Sequence, residues 1–69
     1  MQTNTDQMAP LLLRPGEAAA VLGMSRSTIY ELMASGEIPS IKVAGRSRRI
    51  ATKDLVDYVD ALRREQGIQ

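Results

Sequence analysis

The chain contains no cysteine, histidine, tryptophan or phenylalanine among its 69 residues. Without cysteine or histidine it has no disulfide, no thiolate or imidazole metal ligand, no Cys–His or Ser–His nucleophile pair and no histidine general base. A serine paired with Lys42 or Lys53 would need a buried amine, and both lysines are expected at wet positions. The reading is therefore a non-enzyme, with no catalytic residue, no metal and no cofactor. Two tyrosines are the only aromatics, too few for a platform that stacks single-stranded bases. No apolar run approaches the ~20 residues of a membrane span, and the start Met1–Ala9 is polar, with Asp6 and no basic stretch. No membrane partner and no signal peptide are expected, and a cytoplasmic location follows. The length allows one domain with one core, of stability about 3–5 kcal/mol without staples.

Net charge is only +1, but it is unevenly spread. Residues 26–53 hold Arg26, Lys42, Arg46, Arg48, Arg49 and Lys53 against Glu31 and Glu37, and both flanks are net acidic. The positive charge is a central feature of the chain.

Residues 1–9 have no periodicity and are read as a disordered tail, 10–67 as the folded domain and 68–69 as its end. Pro10 introduces Leu11–Leu13, a brief extended segment expected to cover one edge of the core, and Arg14 is held extended by the proline after it. Pro15 fits the first position of a helix through Leu22, with Glu17 in its first turn and Gly23 to end it. Ser25 is a strong N-cap for a second helix that buries Ile29, Leu32 and Met33 and stops at Gly36. Ile41–Val43 and Arg49–Ala51 read as a two-stranded hairpin turning at Gly45, its tip carrying Arg46, Ser47 and Arg48. Thr52 is expected to cap a third helix, with Asp54 and Asp57 near its start, Arg63 and Arg64 near its end and Gly67 beyond. Its core face is Leu55, Val59 and Leu62, widened by Val56 and Tyr58; Ala18–Leu22 are also assigned to the core. The fold class is mainly α with a small β-hairpin, a compact winged helix-turn-helix of three helices and a two-stranded wing.

That order leaves one helix exposed beside a basic loop, a geometry suited to a DNA duplex. Arg26 at the helix start can pair with guanine in a major groove, Ser25, Ser27 and Thr28 offer hydroxyls, Tyr30 flanks them, and Glu31 can accept from cytosine. On the wing, Lys42, Arg46, Ser47, Arg48 and Arg49 concentrate positive charge, and Gly45 lets the backbone approach a sugar-phosphate wall. Arginines at such a tip suit a narrow minor groove. Neutralising ~6 phosphates gives a slope of log K against log salt near −5. Each feature also has a plainer reading: Ser25 and Thr28 as caps, Tyr30 as cover for the core edge, the basic turn as a solvated loop.

From Leu12 to about Arg64 the chain resembles the excisionase-type helix-turn-helix domains, small relatives of the MerR winged-helix group that include excisionases of actinobacteriophages. The resemblance lies in the run GEAAAVLGMSRSTIYELMASGEIPSIKVAGRSRRI followed by TKDLVDYV. Its most specific parts are Glu17-Ala18-Ala19 with Leu22-Gly23, Ser25 through Tyr30, Gly36-x-Ile38-Pro39 and Arg49-Ile50. It implies a second helix in the major groove, through Arg26, Ser27, Thr28, Tyr30 and Glu31. It also implies a wing in the adjacent minor groove, through Lys42, Arg46, Ser47, Arg48 and Arg49. The family usually has serine or threonine before the first helix, where this chain has Arg14, so that helix is expected to lack a cap. The third helix is expected to stop by about Gly67, with neither a dimerising coiled coil nor a module for a small-molecule effector.

The leading functional expectation is a recombination directionality factor that binds and bends duplex DNA at repeated sites. Its neighbours would associate head to tail, and a partner integrase, of tyrosine or serine type, would complete the excision complex. A small transcriptional regulator of the same fold is one alternative; a protein interaction module using the basic hairpin is another.

Overall fold

A computed structural model describes residues 10–67; the tail read over 1–9 and the end at 68–69 lie outside the described residues. The elements in chain order are β1 (Leu12–Leu13), α1 (Pro15–Leu22), α2 (Arg26–Ser35), β2 (Ile41–Val43), β3 (Ser47–Ala51) and α3 (Thr52–Glu65). The winged helix-turn-helix arrangement expected from the sequence is present, with one addition. Leu11–Leu13 do more than cover an edge: β1 pairs antiparallel with β3, Leu12 opposite Ala51 and Leu13 opposite Ile50. The sheet therefore has three strands in the order β1-β3-β2.

Local chemistry accounts for each helix end. Arg14 is extended at the N-cap of α1 with Pro15 next. An arginine side chain has no acceptor to offer, but Glu17, three residues on, supplies the other half of a capping box: its Oε1 accepts from the Arg14 N–H at 2.8 Å. The expected loss of a cap is thus partly made good. Gly23 closes α1 in the left-handed region (φ 73°). Its N–H donates to the Ala20 carbonyl and that of Met24 to the Ala19 carbonyl, the paired bonds of a Schellman ending. Ser25 caps α2 as expected, its Oγ accepting from the Thr28 N–H at 3.2 Å. Gly36 (φ 85°) ends α2.

The expectation for α3 needs correcting. Its N-cap is Ala51, with no side-chain cap, and Thr52 is the first helical residue. β3 runs directly into the helix, so Thr52 meets the incoming chain instead: its hydroxyl donates to the Pro10 carbonyl and its N–H to the Leu11 carbonyl. The threonine ties the first strand to the last helix.

The core is Leu13, Ala18, Ala19, Ile29, Ile38, Ile50 and Leu55, with Leu22, Met24, Leu32, Met33 and Tyr58 packed around it. Ile38, read only as leading into the hairpin, is fully buried, and its N–H bonds to the Leu32 carbonyl at 3.2 Å. The core assignment of all of Ala18–Leu22 is too wide. At 100° per residue the buried side of α1 takes Pro15, Ala18, Ala19 and Leu22 and turns Ala20 and Val21 to solvent. Val56 and Val59 are likewise exposed, and of the expected face of α3 it is Leu55 that enters the core, with Tyr58 packed against it and Leu62 half-buried. Val21, Leu55, Val56 and Val59 line an apolar groove of about 440 Å³ between α1 and α3.

Candidate nucleic-acid interface

The wing is β2 and β3, in register with Ile41 opposite Arg49, Lys42 opposite Arg48 and Val43 opposite Ser47. β3 starts two residues earlier than expected, so Ser47 and Arg48 belong to the strand and the tip is Ala44–Arg46. Gly45 turns in the left-handed region as expected (φ 82°), and Ala44 before it does so too (φ 41°). Two successive left-handed residues suit the right-handed twist of a hairpin.

On α2, Ile29 is fully buried, whereas Ser25, Arg26, Ser27, Tyr30 and Glu31 are exposed and Thr28 is half-buried. The hydroxyls of Ser25 and Thr28 lie 2.9 Å apart and bond to each other. Their capping role is therefore occupied in the free protein, leaving Ser27 as the uncommitted hydroxyl of that turn.

The two basic segments meet. A cleft of about 750 Å³ has Arg26 and Tyr30 from α2 on one side and Arg46, Arg48 and Arg49 from the wing on another. The start of α1 contributes Arg14, Gly16 and Glu17. Five arginines, drawn from segments far apart in sequence, thus line one concavity. Adjacent strand residues point to opposite sides, yet Arg49 reaches the cleft with Arg48 and donates to the Arg48 carbonyl at 2.9 Å. Arg48 itself donates to Ser40 Oγ at 3.2 Å. The one carboxylate in the cleft, Glu17, is engaged by the Arg14 backbone and lies 3.9 Å from its guanidinium. Among the described residues no carboxylate lies within 4 Å of a guanidinium nitrogen of Arg26, Arg46, Arg48 or Arg49.

Of the residues singled out in the sequence, Arg26, Tyr30, Arg46, Arg48 and Arg49 come together here, while Lys42, Gly45 and Ser47 stand on the wing outside the cleft. Arg14 and Gly16 were missed as site residues. The signal available was an arginine and a glycine flanking the proline that starts the first helix, but only the fold brings that end to the wing. Among the described residues no cluster of acidic side chains could hold a metal ion, and no helix is long and apolar enough to cross a membrane.

The sequence profile of the helix-turn-helix domain family matches residues 12–63, from β1 into the last turns of α3. The chain belongs to that family. This helix-turn-helix domain is 45% identical over 57 residues to a "Probable excisionase" of Saccharopolyspora erythraea, a match covering 83% of this chain and 57% of that protein. It is 39% identical over 49 residues to a "Putative DNA-binding protein" found in two strains of Mycobacterium tuberculosis, covering 71% of this chain and 62% of each. The domain thus spans less than two thirds of the length of these relatives. No solved structure matches it. The resemblance to excisionase-type helix-turn-helix domains read from the sequence is borne out.

Proposed function

We propose that the chain binds duplex DNA, with α2 in a major groove and the wing in the adjacent minor groove. The observation that carries this is the cleft of five arginines between the exposed helix and the wing. Two elements on one side of a small domain that address neighbouring grooves are held in register by positive charge meeting the strand between them. Ser27, Tyr30 and Glu31 are the outward residues of α2 available to base edges, with Ser25 and Thr28 forming the turn that presents them. Lys42, Gly45, Arg46, Ser47, Arg48 and Arg49 form the wing contact.

The finer reading is that of an excisionase. The protein occupies repeated sites, bends the duplex and helps a partner integrase assemble the complex that excises a prophage or integrative element, in the cytoplasm of the bacterial host. The likeness to a protein named as a probable excisionase supports it. Neighbouring copies associate head to tail on the DNA, a contact that does not close on itself and can extend along the duplex. Bending is sustained by wing arginines and by flexible base steps. Nuclease protection and circular-permutation bending assays on the element's attachment site test this: extended protection of several sites with a bend is expected. A single, unbent site would instead point to a transcriptional regulator of the same fold. Duplex affinity unchanged in an Arg46→Ala, Arg48→Ala double variant would point to a hairpin that docks a protein.

A further inference from the structure

An arginine at the first position of a groove-entering helix reads a base edge when its guanidinium extends beyond the helix end. Arg26 does not extend that way. A Cβ built on Gly16 would lie 3.6 Å from its Nη1, 3.8 Å from its Cζ and 3.9 Å from its Cδ. On its other side the Tyr30 ring centroid is 5.9 Å from Cζ, within cation–π range. The side chain is folded back over the start of α1 and steadied by the ring one helical turn away. This seat is in the cleft it shares with Arg14, Arg46, Arg48 and Arg49.

We propose that Arg26 is a backbone clamp and not a base reader: with the wing arginines it holds one phosphodiester of the strand running between the two grooves. The start of α1 at Gly16 is the surface against which its side chain lies. The proposal rests on the duplex reading above and assigns the cleft its own ligand group within it. Two observations and a physical consequence point to an anion with several acceptor oxygens. The guanidinium groups outnumber the single carboxylate, that carboxylate is already engaged, and their mutual repulsion in the free protein is relieved by such a ligand. A guanidinium presents paired N–H donors that match two phosphate oxygens, and a seated side chain loses little rotamer freedom on binding. The wing and α2 flank the cleft, so a strand passing between the grooves they occupy carries its phosphates through it.

The test is fluorescence anisotropy with a fully randomised 20-base-pair duplex across a salt series, together with selection of preferred sequences from the same pool. Arg26→Ala is expected to weaken binding to the random pool by about tenfold and to reduce the salt slope by about one unit, leaving the selected sequence unchanged. Arg26→Lys, which restores a point charge but not a planar fork, is expected to recover the slope. Gly16→Ala is expected to be neutral, because its methyl group would make only ordinary contact with Arg26. Gly16→Leu, filling the seat, should reproduce Arg26→Ala. Arg26→Ala with the wild-type slope and a selected sequence relaxed at one G·C pair would overturn the clamp while leaving duplex binding intact. A wild-type protein that binds no duplex even at low salt would overturn the duplex reading and the clamp with it. Arg26 is exposed, so circular dichroism should show its variants folded. Should Gly16→Leu unfold, the Arg26→Ala and Arg26→Lys pair decides alone.

Discussion

Ile29, Ile38 and Ile50 are each fully shielded from water, one from the second helix, one from the loop after it and one from the central strand. Truncating any of them to alanine removes buried methyl groups and leaves a cavity, at a cost of about 2–5 kcal/mol. Total stability in this size class is about 3–5 kcal/mol, so Ile29→Ala or Ile50→Ala is expected to leave a largely unfolded chain by thermal circular dichroism. Val21→Ser, at a position 67% exposed, should move stability by no more than about 0.5 kcal/mol. Ile29 was legible as core because it begins a helical stripe. Ile38 was not, because a lone isoleucine between a glutamate and a proline carries no period. The wing offers a change of the opposite sign. Ala44 is the one non-glycine residue with positive φ among those described, and asparagine before glycine favours that turn. Ala44→Asn is expected to raise stability by about 0.5–1 kcal/mol, read as a higher melting midpoint.

At the scale of elements, helix starts separate what a local signal can reveal from what it cannot. Ser25 was read as a cap from its place before an apolar-periodic run, and the serine-to-Thr28 bond needs no other part of the chain. Thr52 carried the same signal, but pairing with β1 carries β3 through Ala51 and draws the threonine hydroxyl to the Pro10 carbonyl. Ala51→Ser should therefore supply the side-chain cap α3 lacks and add about 0.5–1 kcal/mol. Thr52→Val should cost about 1 kcal/mol through the lost tie to β1. No gain from Ala51→Ser would mean that Thr52 caps the helix after all. In the same turn, Lys53 Nζ donates to Asp57 Oδ2 at 2.9 Å, and that hydrogen bond and charge raise the lysine above its ordinary value of 10.5. Folding therefore favours the protonated amine. This contribution is complete below the ordinary lysine value and disappears as pH climbs through the raised one. The pair is exposed, where such bridges are worth little. Melting midpoints of wild type and Lys53→Met should differ slightly and by a constant amount from about pH 6 to 9, the gap shrinking only in strong alkali.

For the whole molecule, the fold redistributes the charges counted along the chain. Lys53 is committed to Asp57 on α3, while Arg14 joins Arg26 and the wing arginines in the cleft. With Lys42 on the wing, six cations still face the proposed duplex, so the slope of log K against log salt should remain near about −5. Arg48→Ala should lower affinity for every duplex alike and reduce that slope by about one unit. Unchanged slopes for Arg48→Ala would remove the wing from the interface.

The sequence by itself determined the helices, their glycine stops, the Ser25 cap and the clustering of basic residues in the middle of the chain. These are set by residues within a few positions of one another, whose periodicity and capping chemistry are local in the sequence. Only the tertiary structure decided that Leu12 and Leu13 complete a sheet with β3, that Ile38 is core while Val59 is not, and that Thr52 serves a strand and not a helix. It also decided that Arg14, Gly16 and Arg26 share one cleft with the wing. Each of those outcomes depends on which surfaces meet when the elements pack around a core of seven residues. Short-range spacing carries no record of that choice.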